Sequence, residues 1–217
     1  MNKELKELYI IGSGGFGRVV LDTVGEINKK QRKYDLAGFI DDDESLKGEV
    51  FCGVKIIGGV ETFKKEICRD RMVSAVLAIA NPQVKERIAT YLDGSVKWET
   101  LIHPLAFISD HATIGTGCIV QNFSTVNNKA VLGDHCSIVC NTVIGHDTIV
   151  GDYSSFMPLC GVMGNCVLAE RVFVGVGAII LQEKSVGADA FIGAGSLVLS
   201  DVESGAKMVG VPARRIE

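Results

Sequence analysis

The sequence predicts two units built on different patterns. An α/β unit of β-α-β alternation covers residues 1–103, and a coil of short parallel strands in six-residue repeats covers residues 104–217. Three observations carry this expectation. A glycine-rich turn, Gly12-Ser13-Gly14-Gly15-Phe16-Gly17, follows a short apolar run and opens a helix-like stretch. From Ile108 to Val198 an aliphatic or aromatic residue falls at every sixth position, sixteen times in sixteen. Twenty-five glycines against four prolines imply tight turns at regular intervals.

The elements of the first unit follow in order. Residues 7–11 form an apolar strand, and a helix runs from Arg18 to about Lys30 after the glycine turn. Residues 36–40 form a second strand ending at Asp41-Asp42-Asp43. Residues 73–80 read as a buried strand, Asn81-Pro82 as its end, and residues 83–91 as a helix. Residues 98–102 form a last strand before His103-Pro104. This alternation gives a small parallel sheet with flanking helices.

Neither a helix nor an ordinary strand explains a period of six, because their apolar faces repeat at 3.6 and 2. A coil of short strands and turns does. The large apolar residue plugs its axis. Four positions later a small residue (Ala, Ser, Thr or Cys) occurs in thirteen cases of sixteen; the exceptions are Val172, Lys184 and Val202. Gly often follows the aliphatic residue, as at Gly115, Gly133, Gly145, Gly151, Gly175, Gly187 and Gly193, and is expected there to take turn conformations that a Cβ opposes. Three hexads make an 18-residue coil, so residues 18 apart stack in columns. Cys118, Cys136, Cys160 and Cys166 fall on small-residue positions and read as buried apolar residues, not nucleophiles.

Composition excludes several classes. With 47% hydrophobic and 22% charged residues, the chain is expected to bury a core. A net charge of -4 without a basic patch argues against nucleic-acid binding. No apolar run approaches the roughly 20 residues of a membrane span. The opening segment 1–6 mixes charges and lacks an apolar signal core, so a cytoplasmic setting is expected. Seven cysteines without a Cys-x-x-Cys pair fit reduced thiols better than disulfides or zinc knuckles.

Gly12, Gly14 and Gly17 satisfy G-x-G-x-x-G between a strand and a helix, as in a Rossmann-like unit. That spacing lets backbone N–H groups approach a pyrophosphate at the positive end of a helix. Asp41 to Asp43, at the end of the second strand, are placed to meet a ribose hydroxyl. About a hundred residues are too few for two mononucleotide halves, so a nucleotide attached to something else, such as a sugar, is the better ligand. A tight turn with no ligand is the plainer alternative.

Taken together these features resemble the sugar O- or N-acyltransferases of the sialic-acid and bacillosamine pathways. The resemblance rests on the glycine turn with Arg18, on Ile40-Asp41-Asp42, and on Ala80-Asn81 before the helix with Arg87. It rests also on His103-Pro104, the hexads, Ile144-Gly145-His146-Asp147, and Gly210-Val211-Pro212-Ala213-Arg214. It implies a left-handed parallel β-helix, a homotrimer, acetyl-CoA as co-substrate, no metal, and a nucleotide-linked amino sugar as acceptor. By the same resemblance Gly12, Ser13, Gly14, Gly15, Phe16, Arg18, Asp41, Asp42, Ala80 and Asn81 hold the nucleotide sugar. Two departures stand out. Phe16 replaces a His of many members, and a second family His is absent near Ser155. Both suit an alternative reading: a nucleotide-sugar-binding regulatory or scaffolding protein with a weakened active site.

Of the four histidines, at 103, 111, 135 and 146, the separations of 8, 24 and 11 suit no three-His zinc site. His103 is expected to be structural and His135 solvated at a turn. His146 occupies the third place of its hexad, where the coil turns outward, and Asp147 follows it. An imidazole near its unperturbed pKa of about 6.5 accepts a proton at neutral pH, and a neighbouring carboxylate favours the protonated form. An exposed turn histidine with a chance acidic neighbour is the alternative from spacing alone. The family pattern favours His146 as general base with Asp147 as its partner. It assigns the oxyanion-stabilising N–H to Gly164, beside Asn165. Gly175, Val176, Gly177 and Gly193 form bare turns where the pantetheine of CoA can lie, and Arg214, with Arg215, meets its phosphates. Lys184 fits none of these roles.

Overall fold

The computed structural model describes residues 5–69 and 71–217, so the first four residues of the charged opening segment lie outside the described residues. Two compact units are resolved: Met1–Ala80 with Val84–Pro104, and Asn81–Gln83 with Leu105–Glu217.

In the first unit β1 (Lys6–Ile11) leads through α1 (Gly15–Lys30) to β2 (Tyr34–Ile40). A hairpin of β3 (Val50–Phe51) and β4 (Val54–Gly58) follows, then the short α2 (Val60–Thr62), β5 (Val73–Leu77), α3 (Pro82–Tyr91) and β6 (Val96–Trp98). The sheet order is β3-β4-β2-β1-β5-β6, parallel except for the β3–β4 hairpin. β1 is central and carries a solid apolar run, Leu8 to Ile11, because a strand with neighbours on both sides and layers on both faces has no solvent face to keep polar. α1 buries Gly17, Val20, Thr23 and Val24, one stripe at helical spacing. It starts three residues before the expected Arg18, since Gly14 takes an extended cap conformation and the Arg18 N–H donates to its carbonyl at 3.1 Å.

The segment between Asp43 and Met72, where the sequence pattern predicts no element, supplies β3, β4, α2 and a π-helical turn, Phe63–Ile67. Phe63 is fully buried there and packs on Tyr9, with ring centroids 5.0 Å apart. The expected strand 98–102 is in fact two, β6 and Leu101–Ile102. Glu99 interrupts it. Its buried carboxylate accepts from Lys6 Nζ at 2.6 and 2.9 Å, Tyr34 Oη at 3.0 Å and Ser74 Oγ at 3.2 Å.

The second unit is a left-handed parallel β-helix. Two-residue strands succeed one another every six residues from Phe107–Ile108 to Leu197–Val198. They form three walls. The first holds Ile119–Val120, Ser137–Ile138, Ser155–Phe156, Phe173–Val174 and Phe191–Ile192. The second holds Phe107–Ile108, Thr125–Val126, Val143–Ile144, Gly161–Val162, Ile179–Ile180 and Leu197–Val198. The third runs from Thr113–Ile114 to Ser185–Val186. Each strand from Phe107–Ile108 to Ile179–Ile180 pairs with the one 18 residues on, as at Thr125 with Val143 and Val143 with Gly161. The hexad residues plug the axis: from Val120 to Val198 all are at most 2% exposed. Lys207–Val209 continues the first wall, and Arg214–Ile216 folds back antiparallel on it.

The small inward residues have a second task. Ser124 Oγ, Thr142 Oγ1 and Thr148 Oγ1 donate to the carbonyls of Val139, Met157 and Met163 at 2.8 to 3.1 Å. Each satisfies a carbonyl fifteen residues ahead that the corner would otherwise leave buried and unpaired. Cys118, Cys136, Cys160 and Cys166 are at most 1% exposed. Burial pushes the Cys160 thiol up to about 11 and the Cys166 thiol upward, so neither is a thiolate nucleophile at neutral pH.

The glycines behave differently from expectation. The left-handed backbone falls three residues after each plug from Ile114 to Ile192, and eleven of those residues, Phe123 to Asp189, are not glycine. The Gly directly after the plug is required for another reason. A Cβ on Gly133, Gly145, Gly151, Gly175 or Gly187 would stand 2.2 to 2.6 Å from atoms of the next coil. Close stacking of coils, not turn conformation, demands glycine there. His135 also departs from expectation. It is 6% exposed and stacks on Tyr153, 5.3 Å between centroids and 3° between planes.

Candidate functional site

The glycine turn divides its labour. Gly12 has φ +102, and a Cβ on it would lie 2.7 Å from the Ala78 carbonyl oxygen. A Cβ on Gly17 would lie 2.0 Å from the Gly12 oxygen. These two glycines hold α1 against the sheet. Gly14 and Gly15 are exposed, and a Cβ on either meets nothing within 4 Å. They bare the first N–H groups of a sixteen-residue helix, where backbone donors and the helix dipole favour an anion.

Asp41 is engaged inside this turn. Its Oδ2 accepts from the Ser13 N–H at 2.8 Å and the Ser13 hydroxyl at 2.6 Å, and its Oδ1 from the Asp43 N–H at 3.1 Å. Burial pushes the Asp41 carboxyl up, but these donors outweigh it and hold it below its ordinary value. Asp42 Oδ1 accepts from the Val60 N–H at 2.8 Å, tying β2 to α2. Asp42 also lines two adjoining clefts. One, about 630 Å³, is walled by Glu44, Gly59, Glu61, Thr62, Arg87 and Tyr91 among others. The other, about 230 Å³, touches Gly12, Ile40, Asp41, Ile79 and Ile88. Arg18 lies over the Phe51 ring at 5.7 Å, Phe16 and Ala80 are half-buried, and Asn81 is exposed. Sequence reasoning missed the wall of the larger cleft from Gly59 to Thr62, because that segment showed neither helical nor alternating periodicity.

On the second unit, His146 and Asp147 stand at the corner between the second and third walls. Asp147 adopts φ 54, and its N–H donates to the Asn128 carbonyl at 2.9 Å, locking the corner. His146 Nδ1 lies 2.9 Å from Asp147 Oδ2, and Lys129 Nζ lies 4.0 Å from Asp147 Oδ1. A carboxylate only accepts, so Nδ1 carries the proton in this contact, and in the neutral ring that tautomer leaves the lone pair on Nε2. One coil on, Gly164 faces that nitrogen: a Cβ there would lie 2.5 Å from His146 Nε2 and Cε1. Glycine is what leaves room for the imidazole. Among the described residues no acceptor takes the Gly164 N–H, while Asn165 N–H donates to the His146 carbonyl at 2.9 Å. A proton acceptor and a bare amide donor thus share one corner.

Gly175, Val176, Gly177 and Gly193 lie elsewhere, at the corner between the first and second walls. Within one chain the second wall separates them from His146 and Gly164. Gly177 and Gly195 have φ +67 and +66, and a Cβ on either meets nothing within 4 Å. Arg214 is exposed in the terminal hairpin, and Arg215 pairs with Glu203. Lys184 leaves its corner undistorted, since the Val167 N–H still donates to its carbonyl at 2.9 Å; nothing in the structure explains its charge. Among the described residues no three His, Cys, Asp or Glu gather to hold a metal ion, and no helix is long and apolar enough to cross a membrane.

The family described as the PglD N-terminal domain matches residues 7–92. A GDP-perosamine N-acetyltransferase of Escherichia coli O157:H7 is 29% identical over 215 residues, covering 96% of this chain and 95% of that protein. The crystal structure of PerB from Caulobacter crescentus, in complex with CoA and GDP-perosamine, superposes with a TM-score of 0.88 at 25% identity. It covers 99% of each chain. The acetyltransferase domain of PglB from Neisseria gonorrhoeae FA1090 gives 0.87 at 25% identity, covering 97% of this chain and all of that one.

Proposed function

We propose that this chain, a homologue of the sugar acyltransferases carrying their PglD N-terminal domain, is an acetyl-CoA-dependent N-acetyltransferase acting on a nucleotide-linked amino sugar. The observation that carries the reading is the His146–Asp147 pair opposite the bare Gly164 amide. In the reaction the sugar amine nitrogen attacks the thioester carbonyl, and His146 Nε2 takes the proton that the nitrogen loses. Asp147 holds the imidazole and offsets the charge it gains. The Gly164 N–H donates to the oxygen as it becomes an oxyanion. Collapse breaks the C–S bond, and the imidazolium returns its proton to the leaving thiolate.

The first unit supplies the acceptor site, with the diphosphate at the Gly14 and Gly15 amides and the nucleoside in the cleft beside Asp42. Asp41 acts there by shaping the Ser13 turn. Gly175, Val176, Gly177, Gly193, Asn165 and Arg214 serve acetyl-CoA. Because two of these groups sit at different corners of one prism, a neighbouring copy completes the site, and the assembly is a homotrimer. Exposed apolar residues on the prism walls support that assembly: Val131, Val143, Ile149, Val167 and Ile179 are 38 to 50% exposed. Seven thiols without a disulfide suit a cytoplasmic enzyme. Since one relative is a GDP-perosamine N-acetyltransferase and another is solved in complex with CoA and GDP-perosamine, a GDP-linked amino sugar is the first acceptor to try.

A thiol-release assay tests the reading, with acetyl-CoA against GDP-, UDP-, dTDP- and CMP-linked amino sugars and the free sugars. Acetylation of one nucleotide amino sugar, with free sugars inert, is expected. Folded protein that binds the nucleotide sugar and releases no thiol with any of them would favour a regulatory or scaffolding protein instead.

A further inference from the structure

The outward face of the second wall carries one column of residues 18 apart: Phe107, Thr125, Val143, Gly161, Ile179 and Leu197. Gly161 is its single bare position. Its neighbours above and below, Val143 and Ile179, are 38% and 41% exposed, yet Gly161 is buried. Met163 is the cause. It lies two residues on, hence on the same face of the strand. Its terminal methyl sits 3.0 Å from where a Cβ of residue 161 would stand, with Ile179 Cγ1 at 3.9 Å. The wall thus has a notch, floored by Gly161 and lidded by a thioether.

Met163 is also the residue directly before Gly164. In the transfer site read above, the acyl carbonyl meets the Gly164 N–H, one peptide bond from Met163. We propose that Met163 and the Gly161 notch form the acyl-length gate of the enzyme, a subsite for the alkyl end of the transferred acyl group. An acetyl group ends at the methionine. A longer straight-chain acyl group has to enter the notch, and the thioether already fills it. Methionine, with three rotatable bonds, yields in part, so the gate restricts four-carbon chains without being rigid. The proposal rests on reading the His146–Gly164 corner as the site of transfer.

The test is kcat/KM for acetyl-, butyryl- and hexanoyl-CoA with the true acceptor. It compares wild type, Met163→Ala, and Met163→Ala with Gly161→Val, each checked for assembly and melting temperature. A methylene in an apolar pocket is worth about 10- to 200-fold, so wild type should favour acetyl over butyryl by about 100-fold or more. Met163→Ala should shrink that ratio at least about tenfold, and adding Gly161→Val should restore it by refilling the notch. An unchanged ratio in folded Met163→Ala overturns the gate. So does a raised KM for acetyl-CoA with the ratio intact, which would put pantetheine over the notch. A wild type that transfers no acetyl to any nucleotide amino sugar overturns the transfer site itself, and the gate with it. Wild-type turnover with an invariant ratio overturns only the gate.

Discussion

In the β-helix a residue's neighbours follow from its number, whereas in the α/β unit they do not. Gly164 meets His146 because 164 and 146 differ by one coil. Glu99 meets Lys6, Tyr34 and Ser74, separated from it by 93, 65 and 25 residues with no common period. The periodic unit repeats one contact set many times, so a change at one corner is carried by like neighbours on either side. The aperiodic unit spends each contact once. Its substitutions should therefore divide sharply into those that break the fold and those that touch only ligand.

The largest expected effect sharpens that division within one turn. Gly17→Val sets a side chain 2.0 Å from the Gly12 oxygen and should cost several kcal/mol, since even ordinary overpacking costs about 1–3 kcal/mol. For a chain of this size about 2–4 °C of melting temperature is lost per kcal/mol. A Gly17→Val protein melting like wild type would contradict the packing argument. Gly14→Val, three residues away in open space, should melt normally while raising the KM for the nucleotide sugar and sparing acetyl-CoA. Equal loss of both affinities would show that the turn is only structural.

Next is the corner of the β-helix. His146→Ala should lower kcat by about 10²- to 10⁴-fold, the usual contribution of a general base. Melting temperature should hold, because the side chain is 60% exposed and carries none of the core. Asp147→Asn should cost less, since the imidazole remains. Near-native kcat in His146→Ala would move the base elsewhere.

Assembly gives a middling effect. Ile149 points outward from the third wall and is half exposed in one chain. On a free surface Ile149→Asp would change stability by less than about 0.5 kcal/mol. In a trimer interface it should release monomers, visible by sedimentation equilibrium. A wild type that sediments as a fully active monomer would remove the trimer from the proposal.

The smallest effect is the response to acid, and it separates the two units again. Burial holds the His103 imidazole below its ordinary value of 6.5, with Glu26 opposing weakly. Its share of stability is complete above that pH and declines below it, because the unfolded chain takes up a proton that the buried ring resists. Burial raises the Glu99 carboxyl, but hydrogen bonds from Lys6 and Tyr34 and the charges of Lys6 and Lys33 prevail and hold it below 4.5. Its contribution is complete above 4.5 and is lost as pH falls through the depressed value. In the β-helix the corresponding group is Asp189, held below 3.8 by Arg171. Amide exchange between pH 7 and 4 should therefore show the α/β unit loosening first. Loosening of the β-helix first would refute the ordering.

How legible each region was follows from the same contrast. The hexad count located the plugs, the inward small residues and the two-residue strands from Phe107–Ile108 to Leu197–Val198, but not Lys207–Val209 or Arg214–Ile216, and Gly164 was assigned by the family resemblance before the structure set it one coil beyond His146. The walls set Gly175, Val176, Gly177 and Gly193 at a different corner from His146, which their reading as bare turns did not specify. The helix and strands around the glycine turn were legible from apolar runs and the turn itself. The region between Asp43 and Met72 was not, because its strands of two and five residues are too short to show a period.

The sequence by itself determined the repeat, its register and the strand–turn–helix at the start, because each is a local pattern that one period or one spacing encodes. Tertiary structure decided what depends on contact between distant residues. It engaged Asp41 with Ser13, buried His135 against Tyr153, and made the glycines after each plug a matter of coil-to-coil clearance. It also folded Met163 back over Gly161. The physical reason is common to all of these. A residue type and its spacing state which groups are offered, but whether a carboxylate faces a ligand or a neighbouring hydroxyl is settled only when packing brings its partner within about 3 Å.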